Sequence, residues 1–173
     1  MRRKDREVKN TDWIWNVIEE GRLLHLALID SEGHPYAVPV NYGYDRDRDC
    51  LYFHGSFAGR KAEAMRAHPE TAFSIIAGDD IVPHPSKPGR IWQIYRSVMG
   101  TGRVREEKDP AEKRRIIGLL KEHYNDPVRG CSVSDAVLEK ALNVLVLEIG
   151  ELTGKTKGYP NPDNPAAVAV REC

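Results

Sequence analysis

Long apolar runs are missing from this 173-residue chain. No stretch approaches the roughly 20 residues that a membrane-crossing helix needs, and no apolar segment follows the basic opening Met1–Arg6, so it does not read as a signal peptide. Net charge is missing too: 26 Lys and Arg balance 26 Asp and Glu. Nothing in the bulk charge attracts nucleic acid or an anionic membrane, so any anion site must be local. Cysteine is scarce. Cys50, Cys131 and Cys173 are odd in number and far apart, which argues against a disulfide framework and for a reducing, cytoplasmic setting. Metal-ligand spacing is lacking: His25, His34, His54, His68, His84 and His123 form no H-x-H or H-x-x-x-H pair, and there is no C-x-x-C. No G-x-S-x-G elbow is present, and neither Cys50 nor Cys131 has an evident partner for nucleophilic catalysis.

What is present suits one globular domain over residues 1–173, with an extended Pro-rich tail over about 159–173. Asn10 or Thr11 can cap a helix over 10–20, which carries Ile14, Val17 and Ile18 at helical spacing and stops at Gly21. Leu23–Ile29 is an apolar run that reads as a buried strand, with His25 as a satisfied core histidine. A turn at 31–35 leads to a strand over Tyr36–Tyr44. A charged turn at 45–49 precedes a third strand, Leu51–Phe53. A short helix over Arg60–His68 and a strand over Thr71–Ile76 follow. Asp79–Gly89 is Pro-rich and reads as a loop, and Ile91–Val104 reads as a long strand. Asp109-Pro110-Ala111-Glu112 is a helix start; its helix carries Ile116, Leu119, Leu120 and His123 on one face, with His123 again read as a core histidine. Ser132–Asp135 opens another short helix, and Asn143–Ile149 is the last strand. About six strands with short helices between them, and no dominant βαβ alternation, predict a mainly β (α+β) fold: an antiparallel barrel, closed or partly closed.

Three segments carry chemistry. In Tyr52–Lys61 a strand ends, a small-residue loop follows, and a helix opens on Arg60 and Lys61. Two cations in a first turn oppose the helix dipole, and a bound anion, most naturally a phosphate, compensates them. Ser56 can donate a hydroxyl, while Gly55 and Gly59 permit close approach of the backbone. Two solvated surface cations are the competing reading. In Ala37–Tyr44, alternation puts Val38, Val40, Tyr42 and Tyr44 on one face and the small residues Ala37, Pro39, Asn41 and Gly43 on the other. Pro39 makes this an edge or bulged strand. A flat heteroaromatic ring could lie on its small face, though a plain edge strand has the same pattern. In Tyr95–Gly102, two glycines within a strand suggest close approach of a ligand or another backbone.

Taken in order, VPVNYGY, LYFHGSFAGRKAEAMRAHP and QIYRSVMGTGRV resemble the FMN-binding split-barrel superfamily, the pyridoxamine 5′-phosphate oxidase-like proteins. The likeness spans about 12–158 and is greatest to the nitroimidazole-reductase-like branch. It implies an antiparallel split β-barrel that binds FMN. Arg60 and Lys61 match the phosphate-holding pair. Val40, Asn41 and Tyr42, with His54, Gly55, Ser56 and Gly59, match stretches lining the ring and ribityl chain. His54 matches a histidine near the flavin and is the candidate catalytic residue. Tyr95–Val98, Ser97 included, match a stretch beside the cofactor, and Thr153-Gly154-Lys155 match the family's last strand. The resemblance further implies a homodimer with flavin at the subunit interface, and an FMN-dependent oxidoreductase acting on a small redox substrate such as a nitroaromatic. A non-catalytic flavin- or haem-binding module and a deazaflavin-dependent reductase are the alternatives on the same fold. The Pro-rich 79–89 segment and the lack of substrate-phosphate residues separate this chain from oxidases of pyridoxamine phosphate.

Overall fold

A computed structural model describes residues 2–125, 133–140 and 142–165. Cys131, Cys173, Ser132 and residues 166–173 of the expected tail lie outside the described residues. The elements are β1 (Glu7–Val8), α1 (Thr11–Glu20), β2 (Leu24–Ile29), β3 (Pro35–Val40), β4 (Gly43–Asp45), β5 (Cys50–Gly55), α2 (Arg60–Ala67), β6 (Glu70–Pro83), β7 (Ile91–Glu106), α3 (Pro110–His123), α4 (Asp135–Lys140) and β8 (Asn143–Lys157). The fold is mainly antiparallel sheet with four short helices, as the sequence predicts. No helix among the described residues is long and apolar enough to cross a membrane.

Local rules account for the helix ends. Asn10 caps α1 by accepting from the Trp13 N–H, and Ile14, Trp15, Val17 and Ile18 turn inward. Asp109 caps α3 by accepting from the Ala111 N–H, with Pro110 in the first turn. The strands depart from the sequence reading in four places. β2 is half-buried rather than buried: Leu24, Leu26 and Leu28 point inward, while His25 is exposed and is no core histidine. The expected strand over 36–44 breaks at Asn41 and Tyr42 into β3 and β4. The Pro-rich stretch expected as a loop is β6 as far as Pro83, and a short turn, closed by the His84 N–H donating to the Arg90 carbonyl, leads into β7. β8 runs eight residues beyond the predicted end, from Ile149 to Lys157.

The chain divides into two compact units, one of Met1–Gly21, Ser74–Met99 and Leu152–Cys173, the other of Arg22–Phe73 and Gly100–Glu151. β6, β7 and β8 pass through both. The strand order is β3-β2-β6-β7-β8-β5-β4, with β1 on β8. In the second unit β3 and β4 are the two ends of this order, yet only Asn41 and Tyr42 separate them in the chain. Three peptide steps span at most about 11 Å, whereas a flat seven-stranded sheet would hold its edges about 29 Å apart. Connectivity therefore forces the sheet to curl, although it stays open. Its core holds Leu51, Phe53, Leu145 and Leu147. Cys50, Tyr52, Val144 and Val146 pack with Ile116 and Leu120 of α3.

Candidate functional site

β5 pairs with β8 from Cys50 opposite Glu148 to Gly55 opposite Asn143. Cys50 to Phe53 are all buried, because β5 has covered residues on both faces, and burial stops at His54. The chain then crosses a small-residue loop in which the Ala58 N–H donates to Ser56 Oγ at 3.2 Å. Gly59 is the N-cap of α2. Its φ of 97° is one that a side-chain-bearing residue rarely adopts, and α2 has no side-chain cap. Ala62, Ala64 and Met65 anchor the helix on the core, which leaves the cations of its first turn at the open end of β5.

These two neighbouring cations have different surroundings. Arg60 already has an anion. Its Nη2 donates to Asp30 Oδ2 at 2.8 Å, and its guanidinium lies over the Tyr36 ring at 4.5 Å. Asp30 is itself set by the turn after β2, accepting the N–H groups of Glu32 and His34; those bonds and Arg60 hold its carboxyl below the usual carboxylate range. Lys61 has no such partner. Its half-buried ammonium donates to the His54 carbonyl at 3.4 Å and makes no ion pair with any described residue. A β-carbon at position 55 would stand 2.8 Å from Lys61 Nζ, so Gly55 leaves the ammonium its place. Desolvation pushes the Lys61 pKa down. Partial desolvation, and then the Lys61 charge, lower the pKa of His54, whose side chain stays exposed at the strand end.

The second predicted segment is arranged by α3. Tyr42 is fully buried; its N–H donates to Tyr124 Oη at 3.1 Å, and that hydroxyl donates to the Arg22 carbonyl at 2.7 Å. His123 is half-buried rather than core, with its ring 4.6 Å from Tyr42 and 5.5 Å from Tyr44. Val40 is buried, whereas Ala37, Pro39 and Asn41 stand exposed on one side of the edge strand. Gly43 does not share that exposed face, because it is packed on the backbone of Leu119 and Leu120. Val40, Asn41, Tyr42, His54, Gly55, Ser56, Gly59, Arg60 and Lys61 thus belong to one unit. The half-buried Ser97 lies in the other unit with Tyr95, Arg96 and Thr153-Gly154-Lys155. Sequence reasoning missed Asp30 and Tyr36. An aspartate opening a turn is a readable signal, but its ion pair with a residue 30 positions later is not. Among the described residues no group of three or more His, Cys, Asp or Glu is placed to hold a metal ion.

The half-buried ammonium, the uncapped helix start and the glycine beside them fit a phosphate-bearing cofactor, and comparison with known proteins agrees in fold. The candidate 5-nitroimidazole antibiotic resistance protein of Bacteroides thetaiotaomicron shares 25% identity, with 87% of this chain and 86% of that one covered and a TM-score of 0.76. The FAD- and heme-binding protein of Mycobacterium smegmatis shares 22% identity over 88% and 73% of the chains, at a TM-score of 0.72. A flavocytochrome of Azotobacter vinelandii shares 21% over 96% and 80%, at 0.69. No curated protein matches the chain in sequence. The family model described as pyridoxamine 5′-phosphate oxidase matches residues 10–156. That span holds every predicted site residue on the flavin-binding split-barrel fold, and the chain belongs to this family.

Proposed function

We propose that this protein is an FMN-dependent oxidoreductase that works as a homodimer and reduces nitroaromatic compounds. The observation that carries the reading is Lys61. A cation kept partly out of water without a carboxylate is unfavourable by itself, and it lies in a first turn where the helix dipole already disfavours it. A phosphate reverses both effects and gains charge-assisted hydrogen bonds. Arg60, oriented by Asp30 and Tyr36, is the secondary phosphate contact. Asn41 and the exposed small residues of β3 are the surface for the ring, and the second subunit completes it. His54, whose lowered pKa keeps its imidazole neutral near pH 7, can donate a hydrogen bond to a carbonyl or nitro oxygen. A bound flavin supplies the electron transfer; the protein supplies position and charge. The likeness to the Bacteroides protein supports the nitroaromatic substrate.

The purified protein should show flavin absorbance, with FMN released on denaturation, and should scatter light as a dimer. Adding a nitroimidazole to the photoreduced protein under anaerobic conditions should restore the oxidised spectrum. A Soret band without flavin would contradict the cofactor, and a flavin-loaded monomer at micromolar concentration would contradict the dimer.

A further inference from the structure

One residue of α3 does not serve the helix that carries it. Lys113 precedes Ile116 by three positions and Leu120 by seven, which puts all three on the face turned to the core. Lys113 is 6% exposed, although lysine is seldom buried without a charged partner. Among the described residues it has no carboxylate; its Nζ donates to the Leu138 carbonyl of α4 at 3.3 Å. A cation near the start of a helix opposes the dipole, so a leucine or methionine would suit α3 better at this position. The ammonium also lies over the Phe57 ring, 5.8 Å from its centroid.

Phe57 belongs to the loop that joins β5 to α2. Ser56, Ala58 and Gly59 are exposed, whereas Phe57 is half-buried, so its ring is the part of the loop that faces the protein. The backbone does little to fix the loop, because Gly55 and Gly59 at its ends have the widest choice of φ and ψ. Gly59 uses that freedom, with a φ of 97°. The hydrogen bond from the Ala58 N–H to Ser56 Oγ lies within the loop and does not attach it to anything else. The ring over a buried ammonium supplies that attachment, and the attraction grows when the cation is taken out of water. The loop in turn sets how the chain enters α2, since Phe57 stands three residues before Arg60 and four before Lys61.

We propose that Lys113 is a positioning residue for the phosphate: it touches no ligand, but holds Phe57 and with it the loop that presents the first turn of α2. This inference rests on the phosphate reading of Lys61. The test is a titration of the full chain with FMN and with riboflavin. Lys113→Met keeps a long unbranched side chain without the charge, so FMN affinity should fall about three- to tenfold while riboflavin affinity stays unchanged. Lys113→Arg, which restores a cation over the ring, should recover most of the loss. Phe57→Leu should give a loss of the same size, and Lys113→Met combined with Phe57→Leu no more than either alone, because both remove one interaction. Phe57→pentafluorophenylalanine reverses the ring quadrupole at nearly the same shape; it should lower FMN affinity likewise and covers the case in which Lys113→Met fails to fold. A preference of wild type for FMN that survives undiminished in Lys113→Met or in Phe57→pentafluorophenylalanine would overturn this inference and leave the phosphate reading standing. So would equal losses for FMN and riboflavin, or losses that simply add in the double variant. No preference for FMN in wild type would overturn both.

Discussion

α2 and α3 both begin where a strand has just ended, yet their first turns have opposite chemistry. α3 opens with the Asp109 cap, Pro110 and the acidic Glu112, and closes with Lys121 and His123. Each of those choices complements the helix dipole. Glu112 also pairs with Arg115 and Arg48, and Arg115 reaches Asp45 and Tyr52. α2 opens with an uncapped glycine and two cations. Its only first-turn acid is Glu63, and the carboxylate beside Arg60 comes from the distant Asp30. α3 is arranged for its own stability, whereas α2 gives up that stability to hold a positive charge where a strand opens to solvent. Departure from the capping rules therefore marks the proposed site more sharply than any motif.

Reversing the sign at α2 should give the largest effect. Lys61→Glu gives its first turn the charge that α3 already has, so the flavin-free protein should gain up to about 1 kcal/mol. FMN affinity in the same variant should fall more than about a hundredfold, because an attraction becomes a repulsion. Thermal unfolding and a fluorescence titration on one preparation test both signs.

Raising the pH should imitate that change in part. Phosphate binds the protonated ammonium, and the Lys61 pKa is below the ordinary lysine value of 10.5. FMN affinity should therefore fall as pH rises through that lowered value, by up to about tenfold per unit above it, while riboflavin affinity stays flat. Onset only at or above the ordinary value would place the phosphate elsewhere. Arg60→Ala should cost less, about three- to tenfold in FMN affinity, because Asp30 already takes part of its hydrogen-bonding capacity. Asp30→Asn should give a loss of similar size by freeing the guanidinium to move. The smallest effect on the flavin is expected in α3: Asp109→Ala should lower stability by about 1 kcal/mol and leave FMN binding unchanged.

Much of this contrast was legible in the sequence, since caps and first-turn charges are local. Asn10 and Asp109 mark helix starts by side chains acting within three residues, Pro110 and Gly21 act through the backbone, and the structure places those ends where they predict. The arm of β6 beyond Ala77 was not legible because residues 78–81 are exposed on both faces, leaving no period-two alternation to read. β2 misled in the other direction. Ala27 and Ile29 are apolar but exposed, so a half-buried strand looks continuous and His25 looks internal. The pair proposed here to bind phosphate is readable as two cations at a helix start. That one of them is matched by Asp30 depends on a contact across the fold, which no local pattern encodes.

The proposed role of Lys61, a cation held for a phosphate, is tested most directly by a paired titration of wild type and Lys61→Ala with FMN and riboflavin. Each lost charge-assisted hydrogen bond is worth roughly 1.5–3 kcal/mol, so wild type should prefer FMN and the variant should lose about ten- to a hundredfold of that preference. Riboflavin affinity should barely change between the two proteins. Equal affinity of wild type for both ligands, or a preference for FMN that survives undiminished in Lys61→Ala, would contradict the account.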